Sequence, residues 1–412
     1  MIIPSDLLRN KKILLGVTGS IAVYKSLELV RHFVKAGAEV KVVMSESAKK
    51  FVTPLTFETL TSKQVLDDTN ESWVNDHNHI KAGEWADLFV IAPATANTMA
   101  KLANAIADNM LLQCALAYPG VKLLSASANT NMLQNPITQA NLKMLASANY
   151  KFVDTQTKEL ACKTTGDGAM AEPIDIFWAS CRELLKNSFW SDRKVIVTGG
   201  GTIEKIDDVR YLSNYSSGKM ASSLATALYC RGADVNLVAT KFETNTPKEL
   251  EIKSVENSSQ MLDALNESIS IAKKTTSTQE RPYLFMAAAV SDYVPAKAEN
   301  GKLKKDILGK TWELSLTQNC DILNSIDKEG IISVGFKAEM DRDKALENAT
   351  NMLKKKGLNA VCLNLLQDSS SFGSDTNAVE FITPANQVSI PSSDKLSIAF
   401  AILDNAKNIQ KK

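Results

Sequence analysis

The chain has 412 residues, enough for two or three domains with separate cores, and its 44% hydrophobic and 23% charged composition is that of an ordinary globular protein rather than a disordered or fibrous one. With 47 Lys and Arg against 46 Asp and Glu the formal charge is +1, so no global field favours nucleic acid or an anionic membrane, and neither is expected as a partner. No apolar run reaches the roughly 18 residues of a membrane span, and the N-terminus reaches Lys11, Lys12 and an apolar strand without a signal-peptide core, so a cytoplasmic protein is expected.

In chain order, an apolar run Ile13 to Val17 reads as a strand, Thr18-Gly19-Ser20 as a loop, and Ile21 to Lys35 as a helix closed by Gly37. Glu39 to Met44, Leu88 to Ala92 and Val121 to Ala126 read as further buried strands. Pro173 starts a helix ending near Lys186, and Asn187 to Arg193 has linker character. The order then repeats with strand Val195 to Val197, glycines 199–201, a helix Lys219 to Arg231 capped by Ser216-Ser217-Gly218, and strand Asp234 to Ala239. Leu284 to Ala289, Ile332 to Phe336 and Ala360 to Leu363 continue the pattern, while Ala272 to Arg281 is polar, poorly periodic and reads as a loop. The expected class is α/β, with two doubly wound Rossmann-like domains, residues 1–193 and 194–412.

Three hydroxyl-rich segments in the first half, Thr18-Gly19-Ser20, Ser45, and Pro93 to Thr98, follow strands and would share the carboxyl edge where such sheets bind ligands. A mononucleotide suits them. Glu46 could imitate the acidic residue that grips an adenosine ribose, but the glycine spacing lacks the full dinucleotide fingerprint. In the second half the glycine turn runs into a long polar connection with Arg210, Ser213 and Asn214 before any helix, a phosphate-handling loop rebuilt for other chemistry. The six cysteines are scattered with no CxxC pair, which argues against a disulfide framework or a thiolate zinc site, and any functional cysteine acts singly.

Gly19-Ser20-Ile21-Ala22, Asn78-His79-Ile80 ahead of Trp85, Pro93-Ala94-Thr95-Ala96-Asn97-Thr98, Asn129-Thr130-Asn131-Met132, and Ala161-Cys162 ahead of Gly166 to Met170 come in the order seen in flavin-dependent cysteine decarboxylases. The second half resembles the phosphopantothenate–cysteine ligases over nearly its whole length, and the fused pair is similar to the bifunctional coenzyme A biosynthesis enzymes. The resemblance implies a flavodoxin-like domain that binds FMN through Gly19, Ser20, Ile21, Ser45, Pro93, Thr95, Asn97 and Thr98. It implies decarboxylation of 4′-phosphopantothenoylcysteine to 4′-phosphopantetheine, with His79 for proton transfer or carboxylate binding, Asn129 for the substrate carboxylate and Cys162 as proton donor. Where the family usually shows Pro-Ala-Met-Asn and Gly-Arg-Met, this chain has Ala126-Ser127-Ala128-Asn129 and Gly168-Ala169-Met170.

For the second half the resemblance implies ligation of cysteine to 4′-phosphopantothenate through an acyl-cytidylate made from CTP, with Mg2+ neutralising the phosphates and its ligands left unassigned. The implied residues are Asn214 and Lys302 in catalysis, and Arg210, Met286, Ala287, Ala288, Ala289, Asp292, Cys320, Asp321, Ile322, Leu323, Phe336 and Lys356 in binding. Cys320 stands where the family usually has Pro, and Met352 where it has Lys. Decarboxylase trimers joined by ligase dimers are implied as the homo-oligomer. The alternative is a flavin-binding regulatory or scaffold protein whose altered motifs have ended catalysis.

Overall fold

The computed structural model describes residues 1–159, 165–275, 280–366 and 373–409. They form two compact units, residues 3–186 and residues 187–412 together with Met1 and Ile2.

In the first unit β1 (Lys12–Val17), β2 (Glu39–Met44), β3 (Leu88–Ala94), β4 (Lys122–Ala126) and β5 (Tyr150–Val153) make a parallel sheet in the order β2-β1-β3-β4-β5. All seven residues of β3 are buried, as expected of a central strand covered on both faces. The helix Val23–Lys35 turns Leu29, Val30 and Phe33 to the core, and Ser26 Oγ donates to Ala92 O at 2.7 Å, pinning it to β3. The strand order reverses between β1 and β3, and a crevice opens there because the two connections leave to opposite faces. Beyond β5, β6 (Gln156–Glu159) and β7 (Thr165–Ala169) pair antiparallel, and the helix Pro173–Leu185 follows.

The second unit contains β8 (Lys194–Gly199), β9 (Ile203–Lys205), β10 (Tyr211–Ser213), β11 (Asp234–Ala239), β12 (Glu251–Ser254), β13 (Tyr283–Met286), β14 (Tyr293–Pro295), β15 (Leu316–Gln318), β16 (Ile332–Glu339), β17 (Ala360–Leu365), β18 (Thr376–Ile382) and β19 (Gln387–Asp394). Its main sheet runs β12-β11-β8-β13-β16-β17-β18-β19. It is parallel from β12 to β17 and antiparallel across β17–β18 and β18–β19, so the doubly wound core carries a mixed edge.

Four expectations need correction. Residues 187–193 are not a linker but part of the second core: Asn187 N–H donates to Arg231 O at 3.1 Å, and Trp190 is fully buried with its ring 4.8 Å from that of Tyr283. Residues 272–275 are the last turn of the helix Ser258–Thr275 rather than loop. The strand expected to reach Ala289 stops at Met286, because the next N–H groups turn away to other partners. The helix Lys219–Cys230 is not capped by serine: its N-cap is Gly218, in a left-handed conformation that a Cβ would make untenable, since it would lie 2.0 Å from Lys241 O.

Candidate functional site

The crevice between β1 and β3 is lined by hydroxyls locked to backbone. Thr18 Oγ1 donates to Pro93 O at 2.7 Å and accepts from Thr95 N–H at 3.1 Å, so one side chain ties together the loops after both strands. Ser20 Oγ lies 2.9 Å from Ser127 Oγ, adding the loop after β4. Thr95 caps the helix Ala96–Ala103 by accepting from Thr98 N–H, and its Oγ1 lies 3.0 Å from Thr98 Oγ1. At Gly19 a Cβ would meet Ser47 Cβ at 2.4 Å, so glycine permits the close pass of the two loops. Ser45 Oγ and Ser125 Oγ are buried without a hydrogen-bond partner. Buried hydroxyls are rarely left so, and the one on Ser45, just past the end of β2, fits a polar ligand that supplies the missing bond. Ile21 and Asn97 are exposed, and Pro93 is buried within β3. Glu46 pairs with Lys49 at 2.6 Å.

His79 opens the helix His79–Trp85, behind Asn78, whose side chain caps it by accepting from Lys81 N–H. Its Nδ1 lies 2.8 Å from Glu71 Oε1 and its ring meets Trp73 edge-on at 5.7 Å, which fixes the imidazole plane and engages one nitrogen. Among the described residues Nε2 has no partner, the arrangement of a base held by an orienting carboxylate. His77 instead bonds Asn70 at 3.2 Å, and burial pushes its pKa down; its role is structural. Asn129 accepts from Asn131 N–H at 2.9 Å at the start of the helix Thr130–Gln134. The β6–β7 hairpin packs on this turn: Ala128 N–H donates to Gly168 O at 3.1 Å, and a Cβ on Gly166 would stand 2.1 Å from Thr130 Oγ1. Cys162 lies in the 160–164 stretch between these strands, outside the described residues.

In the second unit a cleft of about 960 Å³ opens beside the carboxyl ends of β8, β13 and β16. Of the expected residues it is lined by Asn214, Met286, Ala287, Ala288, Ala289, Asp292, Cys320, Asp321, Ile322, Leu323, Phe336 and Lys356. Its floor is built by the chain leaving β13. Ala288 N–H donates to Thr198 Oγ1 at 3.1 Å, Ala289 N–H to Gly200 O at 2.8 Å, and Ser291 N–H to Thr202 Oγ1 at 3.1 Å, so these residues are stitched to the glycine turn. Asn214 closes the stitch by donating one N–H to Ala289 O at 3.1 Å. Asn319 accepts from Cys320 N–H and donates to Ser291 O, positioning the opposite wall. Lys356 is ion-paired with Asp321, and burial pushes its pKa down.

Arg210 and Lys302, both expected at this site, are not among the residues that line the cleft. The Arg210 guanidinium binds the buried Asp207 carboxylate, donates to Leu303 O at 2.8 Å and stacks 4.9 Å over Trp312. Asp207 also accepts from Leu303 N–H, and Asp208 from Gly301 N–H, so the residues on either side of the exposed Lys302 are held to the β9–β10 turn. The sequence reading gave no role to Lys337 or Lys395, which do line the cleft together with Lys219 and Lys355. Lys395 begins the final helix with no motif around it. Among the described residues no group of three His, Cys, Asp or Glu side chains gathers to hold a metal, and no helix is long and apolar enough to cross a membrane.

A hydroxyl cradle at the switch point of a sheet in flavodoxin order, followed by an α/β unit with a lysine-lined cleft, defines a two-domain flavoprotein. The flavoprotein family profile matches residues 1–185, and that of the DNA/pantothenate metabolism flavoprotein C-terminal domain matches residues 190–409. The coenzyme A biosynthesis bifunctional protein CoaBC of Bacillus subtilis is 35% identical over 414 residues, covering 98% of each chain. That of Borreliella burgdorferi is 33% identical over 401 residues, covering 96% of this chain and 98% of its own, and that of Escherichia coli is 32% identical over 407 residues, covering 96% and 97%. The chain belongs to this family of bifunctional coenzyme A biosynthesis enzymes, with a flavoprotein decarboxylase half and a ligase half.

Proposed function

We propose that the second unit joins cysteine to 4′-phosphopantothenate at the expense of CTP, and that the first unit decarboxylates the resulting 4′-phosphopantothenoylcysteine to 4′-phosphopantetheine with FMN. In ligation the substrate carboxylate attacks the α-phosphorus of CTP, the α–β phosphoanhydride bond breaks and pyrophosphate leaves. The cysteine amine then attacks the acyl carbon and CMP leaves. The observation that carries this reading is the cleft itself, where lysines and a floor of fixed backbone groups surround an asparagine with one N–H still to donate. That uncharged N–H suits Asn214 to stabilise a developing oxyanion without adding repulsion, and Met286 to Ala289, Asp292, residues 320–323, Phe336 and Lys356 would hold nucleotide and substrate. Lys302, with Arg210 beside its segment, is proposed to meet the triphosphate. Mg2+ would enter with the nucleotide, its ligands mostly phosphate oxygens and water.

In the first unit the FMN phosphate and ring would be held by Gly19, Ser20, Ile21, Ser45, Pro93, Thr95, Asn97 and Thr98, and the unpartnered Ser45 Oγ supports the fit. Bound flavin supplies the electron sink that an alkyl carboxylate lacks. Asn129 would orient the substrate carboxylate, His79 would use Nε2 with Glu71 steadying Nδ1, and Cys162 would deliver the proton that completes the product. We place the enzyme in the cytoplasm as a homo-oligomer of decarboxylase trimers joined by ligase dimers. Light scattering that finds monomers at micromolar concentration refutes the assembly. Mass spectrometry of a mixture of protein, 4′-phosphopantothenate, cysteine, CTP and Mg2+ tests the chemistry. CMP, pyrophosphate and 4′-phosphopantetheine are expected, and absence of both 4′-phosphopantetheine and its cysteine-adduct precursor overturns the ligase reading.

A further inference from the structure

Lys395 is the first residue of the helix Lys395–Ala406 and lines the ligase cleft. Its Nζ has no hydrogen-bond or ion-pair partner among the described residues, and of the other lysines in the lining only Lys355 shares that state. Lys219 Nζ bonds Asp375 at 2.6 Å and Gly373 O at 2.8 Å, Lys337 pairs with Glu339 at 3.2 Å, and Lys356 pairs with Asp321. The charged groups that act on Lys395 are Lys219, Asp375 and Glu243. Asp375 is occupied by Lys219, and Glu243 by the Met1 ammonium. Three cations thus face two carboxylates, and the uncompensated charge belongs to Lys395. Burial pushes its pKa down, the mark of a cation kept in place without an internal counter-ion.

The surrounding donors suit one kind of ligand. Lys219 opens a 12-residue helix whose first turn has no side-chain cap, so its N–H groups remain to be satisfied. Ser216, Ser217, Asn364 and Asn377 line the same cleft. A lysine without an ion-pair partner, a second cation already fixed by Asp375, uncapped helix N–H groups and neutral amides and hydroxyls together match a phosphate, which takes several donors and about two charges.

We propose that Lys395, with Lys219 beside it, is a phosphate-binding residue of the ligase cleft, separate from the Lys356–Asp321 wall. This rests on the ligase reading above and extends it to residues that reading does not use. Both the terminal phosphates of the nucleotide and the phosphate ester of the pantothenate substrate carry this chemistry.

The test uses the full-length protein and the variants K395Q and K395R, titrated by calorimetry with CTP, CMP and 4′-phosphopantothenate, with thermal melting as the check on folding. K395Q is expected to bind one phosphate ligand roughly ten- to a hundredfold more weakly, as the loss of a charge-assisted contact implies, with CMP unaffected and K395R largely restored. Loss for CTP alone assigns the site to the terminal phosphates, and loss for 4′-phosphopantothenate alone assigns it to the ester. Wild-type affinity of folded K395Q for both overturns the proposal. Independently of any variant, acetylation of wild-type lysines followed by peptide mass spectrometry should show Lys395 protected by one of the two ligands, and labelling that neither ligand reduces at saturation overturns it. Failure of CTP to bind the wild-type protein would instead remove the nucleotide reading beneath it.

Discussion

The first unit offers its crevice Thr18, Ser20, Ser45, Thr95 and Thr98, all uncharged, whereas the second lines its cleft with Lys219, Lys337, Lys355, Lys356 and Lys395. Both stand at the carboxyl ends of parallel strands, and on the function proposed above the difference follows from what must happen to the phosphate. A cofactor phosphate that stays bound needs fixed dipoles, and hydroxyls locked to backbone supply them. A triphosphate that must break would develop charge on its leaving group, and cationic side chains would stabilise that change. The same topology therefore carries a static cradle and a working one.

The largest expected effect breaks the two apart. Lys302→Gln should lower ligation by a hundredfold or more, on the order seen when one charge-stabilising donor is removed, while decarboxylation of supplied 4′-phosphopantothenoylcysteine continues. Equal loss of both activities in a folded variant would show that the units do not work separately. Cys162→Ser should do the reverse, allowing carbon dioxide release but not completion, because a hydroxyl is far too weak an acid to replace a thiol. An oxidised ene-thiol product should accumulate in mass spectra, and a normal 4′-phosphopantetheine yield would make Cys162 structural.

Smaller effects come from the glycines that shape each loop. Gly218→Ala forces φ of 76° on a residue with a side chain and drives its Cβ against Lys241 O, for a loss of about 2–4 kcal/mol. Gly19→Ala meets Ser47 instead and should reduce the flavin content of the purified protein without touching ligation. Melting temperature and the flavin absorption band read the two, and unchanged flavin in Gly19→Ala would place the cofactor elsewhere.

The sheet cores were legible because strands covered on both faces read as short apolar runs, as in Leu88 to Ala92 and Ile332 to Phe336. The edges were not. Glu251–Ser254, Thr376–Ile382 and Gln387–Asp394 keep one face toward solvent, so their polar residues hide them. Glycine and hydroxyl motifs were legible around the first crevice because each of its hydroxyls stands in a short turn just after a strand. The second cleft takes Lys219, Lys356 and Lys395 from three distant elements, and no spacing in the chain announces that convergence. The run 187–193 misled for a related reason: its polar residues suggested a linker, while Trp190 and Arg193 pack against Tyr283.

The mildest change concerns how the second unit holds Lys302. Asp207 accepts from Arg210 and from the N–H groups of Val209, Arg210 and Leu303, and these bonds, the Arg210 guanidinium first, keep its carboxyl well below the usual carboxylate range. A carboxyl depressed on folding contributes stability above its unfolded pKa of about 3.9, and loses it only as pH falls toward the lower folded value. The tie to the 301–303 segment should therefore be unchanged between pH 7 and about pH 5. Asp207→Asn removes the charge but keeps the shape. It should raise the KM for CTP a few-fold with kcat nearly unchanged, and speed amide exchange at Gly301 and Leu303 relative to the β8 core. Nothing in the first unit should respond, since Asp207 and its partners all lie in the second unit. Exchange at those two amides as slow as in the wild type would show that Asp207 does not position the segment, whatever Lys302→Gln does to the reaction.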